Sequence, residues 1–151
     1  MMDHSELAGQ LFVRGYNCAQ AVFAAFCDVT GLEYEQALRL AAPFGGGIGR
    51  MRETCGAFSG MMLVLGQLKG YLDPDDYDQK ANLYIDVQEL AKEFSDKCGA
   101  LSCRDLMHLP EGPSNPHPTP RTPDFYEKRP CKRIIETAAQ IMDQYLANKQ
   151  R

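Results

Sequence analysis

The chain has no tryptophan, no excess of positive charge and no long apolar run. Its longest apolar stretch, around Met61–Leu65, falls far short of the roughly 18 residues of a membrane-spanning helix, so no span is expected. Sixteen basic residues against twenty acidic ones leave a net charge of −4, which argues against general nucleic-acid binding. Six cysteines in 151 residues lie below the roughly 8–10% that marks a disulfide scaffold. No Cys-x-x-Cys occurs, which excludes a thioredoxin-type site, and no Cys-x-x-Cys-His occurs, which excludes covalent haem attachment. The opening Met1-Met2-Asp3-His4-Ser5-Glu6 is polar and acidic rather than a basic, apolar-cored leader, so a cytoplasmic location is expected. In that compartment idle disulfides are not expected, and cysteine more often serves metal or redox chemistry.

What is present reads as one all-α domain spanning residues 1–151, compact and multi-helical, with a Gly-rich loop and a Pro-rich surface loop. The chain is long enough to bury a core, and 44% of its residues are hydrophobic. Asp3-x-x-Glu6 predicts a capping box opening a helix with Leu7, Leu11 and Phe12 on one side. Asn17 is the expected N-cap of a second helix, Cys18 to about Cys27. It is apolar almost all round and therefore central. A third helix is expected over Glu33–Ala42, ending before Pro43. A fourth should run from Met51 to about Lys69. Asp73-Pro74 reads as the start of a longer helix that carries Ala81, Tyr84, Val87, Leu90, Ala91 and Phe94 on one face and is closed by Gly99. A short helix is expected from Ser102-Cys103. Six of the nine prolines fall within Leu109–Pro123, which excludes helix and central strand there. The last helix, Cys131 to about Ala147, places Ile134, Ala138, Ile141, Met142 and Tyr145 on one face.

On this map the cysteines divide. Cys18, Cys55 and Cys103 each follow a good N-cap residue (Asn17, Thr54, Ser102), and Cys131 follows Pro130. All four are expected in the first turn of a helix, where unpaired N–H groups and the helix dipole favour thiolate. Arg50 and Arg52 precede Cys55, while Lys128, Arg129, Lys132 and Arg133 surround Cys131. Cys27 ends an apolar run and reads as core packing. Cys98 lies at a helix C-terminus, five residues before Cys103, which leaves a resolving role open. Eight of the 13 glycines fall between Gly45 and Gly70. Gly45, Gly46, Gly47, Gly49 and Arg50 match no phosphate-binding fingerprint, but such a loop suits a nest of N–H groups around an anion or cluster sulfides. Gly56 joins these as a cofactor-binding candidate. It stands one helical turn before Gly60, a spacing that lets a second backbone come close.

Three segments carry a resemblance: Gly15-Tyr16-Asn17-Cys18-Ala19-Gln20-Ala21-Val22, Phe44-Gly45-Gly46-Gly47-Ile48-Gly49-Arg50 and Glu53-Thr54-Cys55-Gly56-Ala57-Phe58-Ser59-Gly60. With them the chain resembles the C_GCAxxG_C_C family, redox-active proteins with four signature cysteines. The last two cysteines match by order and context, at Cys103-Arg104-Asp105-Leu106 and Pro130-Cys131. The family label writes Gly-Cys-Ala where this chain reads Cys-Gly-Ala from Cys55. The resemblance implies a redox role. A more distant similarity, to the non-haem part of split-Soret cytochromes c, implies an iron–sulfur centre.

Three functions follow as expectations. In the first, Cys18, Cys55, Cys103 and Cys131 ligate an iron–sulfur cluster for electron transfer. In the second, the same four are redox-active thiols without metal or other cofactor. In the third they hold structural zinc, and what remains is a protein that binds a small anion at Gly45–Arg52. His108 and His117 read as surface residues. Asp73, Asp75, Asp76 and Asp78 mimic a calcium loop but have Asp78 and Tyr84 where its glycine and twelfth-position acid belong. Met51, Met61 and Met62 read as core filler. A redox partner, protein or small molecule, is implied without being identified, and pairing into a homodimer is left open.

Overall fold

At Asp3, Asn17, Asp76 and Ser102 a short polar side chain accepts from an otherwise unpaired amide at a helix start, and left-handed Gly31 and Gly99 each end a helix. A computed structural model describes residues 3–149. Among them every regular element is helical: α1 His4–Val13, α2 Cys18–Ala25, α3 Cys27–Thr30, α4 Tyr34–Ala41, α5 Gly56–Lys69, α6 Tyr77–Cys98, α7 Cys103–Leu106, α8 Pro123–Lys128 and α9 Cys131–Lys149, with a 3-10 turn at Ala42–Phe44. The Asp3 carboxylate accepts from the Glu6 amide at 2.6 Å. The full reciprocal box forms at Asn17, whose partner is Gln20. Ser102 caps α7 through the Asp105 amide, and Gly99 ends α6 at φ 109°.

The apolar helix α2 is central, as its composition requires. It packs against α1, α4 and α5, while α1 also lies along α9. Phe12, Phe23, Phe26, Phe94, Ile135 and Met142 fill the shared core, each contributing roughly 1.5–3 kcal/mol by burial. The close approach of α2 and α5 depends on glycine. A Cβ at Gly60 would stand 2.8 Å from Val22 Cβ and 3.0 Å from the Ala19 carbonyl oxygen, and one at Gly56 would stand 3.1 Å from Cys18 Cβ. The element that the Gly56/Gly60 spacing anticipated is therefore α2. The expected face of α9, from Ile134 to Tyr145, is buried throughout.

Four expectations are corrected. Helix α5 starts at Gly56, not Met51, because the preceding backbone turns left-handed; Met51 is exposed rather than core, whereas Met61 is fully buried. Helix α6 is capped by Asp76, not Asp73, because the Asp73 carboxylate takes the Asp75 amide in a turn of its own. The first half of α6 leaves Ala81 and Tyr84 exposed, and burial begins only towards Leu90 and Phe94. Helix α8 was hidden by the prolines around it. Pro123 occupies its first turn, where the missing amide costs nothing, and Phe125 buries beneath it.

Candidate functional site

The ends of α2, α5, α7 and α9 that carry cysteine meet around one cavity of about 290 Å³, and Cys18, Cys55, Cys103 and Cys131 all line it. Cys18, Cys103 and Cys131 are the first residues of their helices. Cys55 is not: it is itself the N-cap of α5, and Thr54 instead bridges to Ser102. That bridge sits in a short ladder that no sequence periodicity announced. The Cys55 amide donates to the Leu101 carbonyl at 2.7 Å, Cys103 to Glu53 at 2.6 Å, and Arg104 to Arg52 at 3.3 Å. Backbone pairing thus sets the starts of α5 and α7 side by side. Cys55 and Cys103 are 7% and 8% exposed.

The other two sulfurs meet through side chains. Cys18 and Cys131 line the cavity near enough to each other for a thiol–thiol contact that shifts both. This contact holds the Cys131 thiol below its ordinary range against the opposing effect of burial, with Arg129, Arg121 and Arg52 assisting. The same contact, followed by burial, pushes Cys18 well up. Burial pushes Cys55 up to about 12, although the Ala57 and Phe58 amides at the start of α5 pull it down. The expectation that a helix start makes each sulfur a thiolate is therefore corrected at Cys18 and Cys55. At Cys55 loss of hydration outweighs the helix terminus, and at Cys18 the neighbouring Cys131 sulfur does so first and burial second. Met107 Sδ lies 3.8 Å from Cys131 Sγ, a neighbour that nothing in the sequence marked.

The glycine loop builds one wall. From Gly46 to Arg50 five successive residues have φ between 54° and 71°, and Arg52 follows at 63°. Glycine adopts this conformation freely, whereas Ile48, Arg50 and Arg52 each cost roughly 1–2 kcal/mol. At Gly47 the absence of a Cβ is also a packing requirement, since one would stand 2.7 Å from both Cys103 Cβ and the Glu53 amide nitrogen. Gly45, Gly46, Gly47, Gly49 and Gly56 all line the cavity. The expected nest of free amides is reduced, however. Ile48, Gly49, Arg50, Arg52 and Glu53 donate to carbonyls earlier in the loop.

Positive charge comes from side chains instead. Arg50, Arg52, Arg121 and Arg129 line the cavity, and no carboxylate lines it among the described residues. Arg52 is 6% exposed. Its Nη1 lies 3.5 Å from Cys103 Sγ, and its Nε has no partner among the described residues. It serves Cys103 rather than Cys55, its neighbour in sequence. Burial and the nearby guanidiniums of Arg52 and Arg129 press the Arg50 pKa down. Lys128 and Lys132 lie outside the cavity, ion-paired with Asp124 and Glu136, and Arg133 lies outside it beside Cys98. The Pro-rich segment forms part of the cavity wall. Pro116, Pro118 and Thr119 contribute to the lining, and the segment is tied by Arg50 to the Asn115 carbonyl at 3.0 Å and by Arg104 to the Pro110 and Gly112 carbonyls.

The remaining candidates fall elsewhere. Cys27, at the start of α3, is partly buried and packs against the core, and Cys98 lines a separate small pocket with His108. His108 and His117 are exposed. Among the described residues no three His, Cys, Asp or Glu side chains converge tightly enough for a single metal ion. The chain matches the family model described as “Putative redox-active protein (C_GCAxxG_C_C)” over residues 16–145. No curated protein and no solved structure matches it.

Proposed function

The chain belongs to the C_GCAxxG_C_C family, whose description is redox-active, and from that premise we propose that Cys18, Cys55, Cys103 and Cys131 hold an iron–sulfur cluster used for electron transfer. One observation carries this reading: four thiols and a buried guanidinium without a carboxylate face the same cavity. With Cys18 and Cys55 protonated, Arg52 has too little negative charge around it. A buried unpaired charge is costly, on the order of several kcal/mol. Coordination deprotonates a thiol outright, so ligation would supply the missing negative charge beside Arg52. The donor set also suits the group. Thiolates are the ligands such clusters take, and the sulfurs surround a cavity rather than a point. The absence of a Cβ at Gly47 keeps the wall open beside Cys103.

When bound, the cluster supplies one-electron chemistry. The protein does the rest. Arg52 and the Ala57 and Phe58 amides would stabilise negative charge on the ligating sulfurs and so raise the potential. The test is a visible spectrum of protein purified without oxygen, with iron, acid-labile sulfide and zinc measured on the same sample. Stoichiometric iron and sulfide, lost on replacing any one of the four cysteines by serine, are expected. Absence of both sinks the reading.

The Cys18–Cys131 contact favours a second reading, a metal-free dithiol: the Cys131 thiolate attacks a substrate disulfide and expels one half as a thiol, and Cys18 then attacks the mixed disulfide and expels the second half, so that the substrate is reduced and Cys18 and Cys131 are left as a disulfide. Under it, Cys55→Ser keeps reductant-linked turnover while Cys131→Ser abolishes it. Full turnover in both Cys18→Ser and Cys131→Ser would refute it.

A further inference from the structure

We propose that the same cavity binds a small dianionic oxyanion, held by Arg50, Arg52, Arg121 and Arg129. Four guanidiniums line it, and none forms an ion pair with a carboxylate among the described residues. Arginine keeps its charge in proteins, so burial does not relieve the imbalance by deprotonation. Arg52 is nine-tenths buried, with one donor unmet among the described residues. Arg50 and Arg129 both converge on the neutral Thr119 hydroxyl, at 3.2 and 3.1 Å, where an anionic oxygen would serve both better.

The inference is independent of the cluster reading: in the metal-free pocket Cys131 is the readiest thiolate, and one thiolate leaves positive charge over from four guanidiniums. At about 290 Å³ the cavity has ample room for an ion of a few heavy atoms and lies just below the roughly 300–1,000 Å³ of pockets for drug-sized ligands. Guanidinium forks match such an oxyanion through paired N–H donors.

The test is titration of oxygen-free protein at low ionic strength with inorganic sulfate, an inert dianion, by calorimetry and by thermal shift. One saturable site per chain and a rising melting temperature are expected. Dimethyl sulfone, neutral and similarly shaped, should have no effect. Arg129→Gln should weaken sulfate binding by at least about tenfold, whereas Lys132→Gln, outside the cavity, should leave it unchanged. If Arg129→Gln does not fold, Arg121→Gln takes its place. No saturable binding by the unmodified protein, or equal losses in Arg129→Gln and Lys132→Gln, overturns the proposal. Iron and sulfide measured on the same samples separate the two claims. Sulfate binding without iron leaves this site standing and removes the cluster, and iron without sulfate binding does the reverse.

Discussion

The two sides of the cysteine cavity are built by different means. On one side Cys55 and Cys103 are neighbours because backbone amides and carbonyls of residues 52–55 and 101–104 pair directly, with Thr54 bridged to Ser102. On the other side Cys18 and Cys131 come from α2 and α9, far apart in the chain, and meet only because α1, α2 and α9 share a core. The first side is braced by a ladder and a strained glycine loop; the second depends on helix packing and caps. A local fault should therefore disturb one pair before the other.

The largest test of that difference is Gly47→Ala. The added methyl meets Cys103 Cβ and the Glu53 amide at 2.7 Å, on a backbone with φ 71°. A loss of about 3 kcal/mol or more is expected. It should be read by chemical denaturation, alongside faster alkylation of Cys55 and Cys103 than of Cys18 and Cys131. Next comes Arg52→Met. Removing a buried, poorly partnered charge should stabilise the metal-free protein by roughly 1–4 kcal/mol. Under the cluster reading the same change should lower the reduction potential, measured by spectroelectrochemistry. A metal-free protein destabilised by this change would contradict the account of Arg52.

On the other side, Asn17→Ala removes a reciprocal cap and the bond from Asn17 Nδ2 to the Ala42 carbonyl. A cost of about 1 kcal/mol in unfolding free energy is expected, with Cys18 and Cys131 now the more reactive pair. The smallest effect lies at His4, which joins Asp143 on α9 to Asp28 on α3 and stacks on Phe26. Burial alone would lower its pKa, but the hydrogen bonds to Asp28 and Asp143 outweigh it and raise it above 6.5. Its stabilisation is therefore complete below about pH 6.5 and fades as pH rises through the raised value. His4→Gln should lower the melting temperature most at pH 6, by less than about 1 kcal/mol in stability given its exposure to solvent, with a smaller difference at pH 8.

Much of this was legible beforehand because it is local. The caps at Asn17 and Ser102, the stop at Gly99, the apolar faces of α2 and α9 and the four cavity cysteines all follow from chemistry within a turn or two of each residue. Reasoning of that kind failed where competing local bonds or burial decided. Asp73 spent its carboxylate on a turn, Thr54 went into a bridge, and the Cys55 thiol lost its hydration. Arg52 was attached to Cys55 by proximity in sequence, yet the left-handed backbone aims it at Cys103.

By itself, then, the sequence determined most of the helices, the family and which four cysteines stand at or beside helix starts, because periodicity, capping and motif are properties of neighbouring residues. Only the tertiary structure decided which cysteines neighbour each other, that four arginines line their cavity without a carboxylate, and that the proline segment forms part of its wall. Those depend on contacts such as Cys55 with Cys103 and Cys18 with Cys131, 48 and 113 positions apart, and on the energy of charge removed from water, which no local pattern encodes.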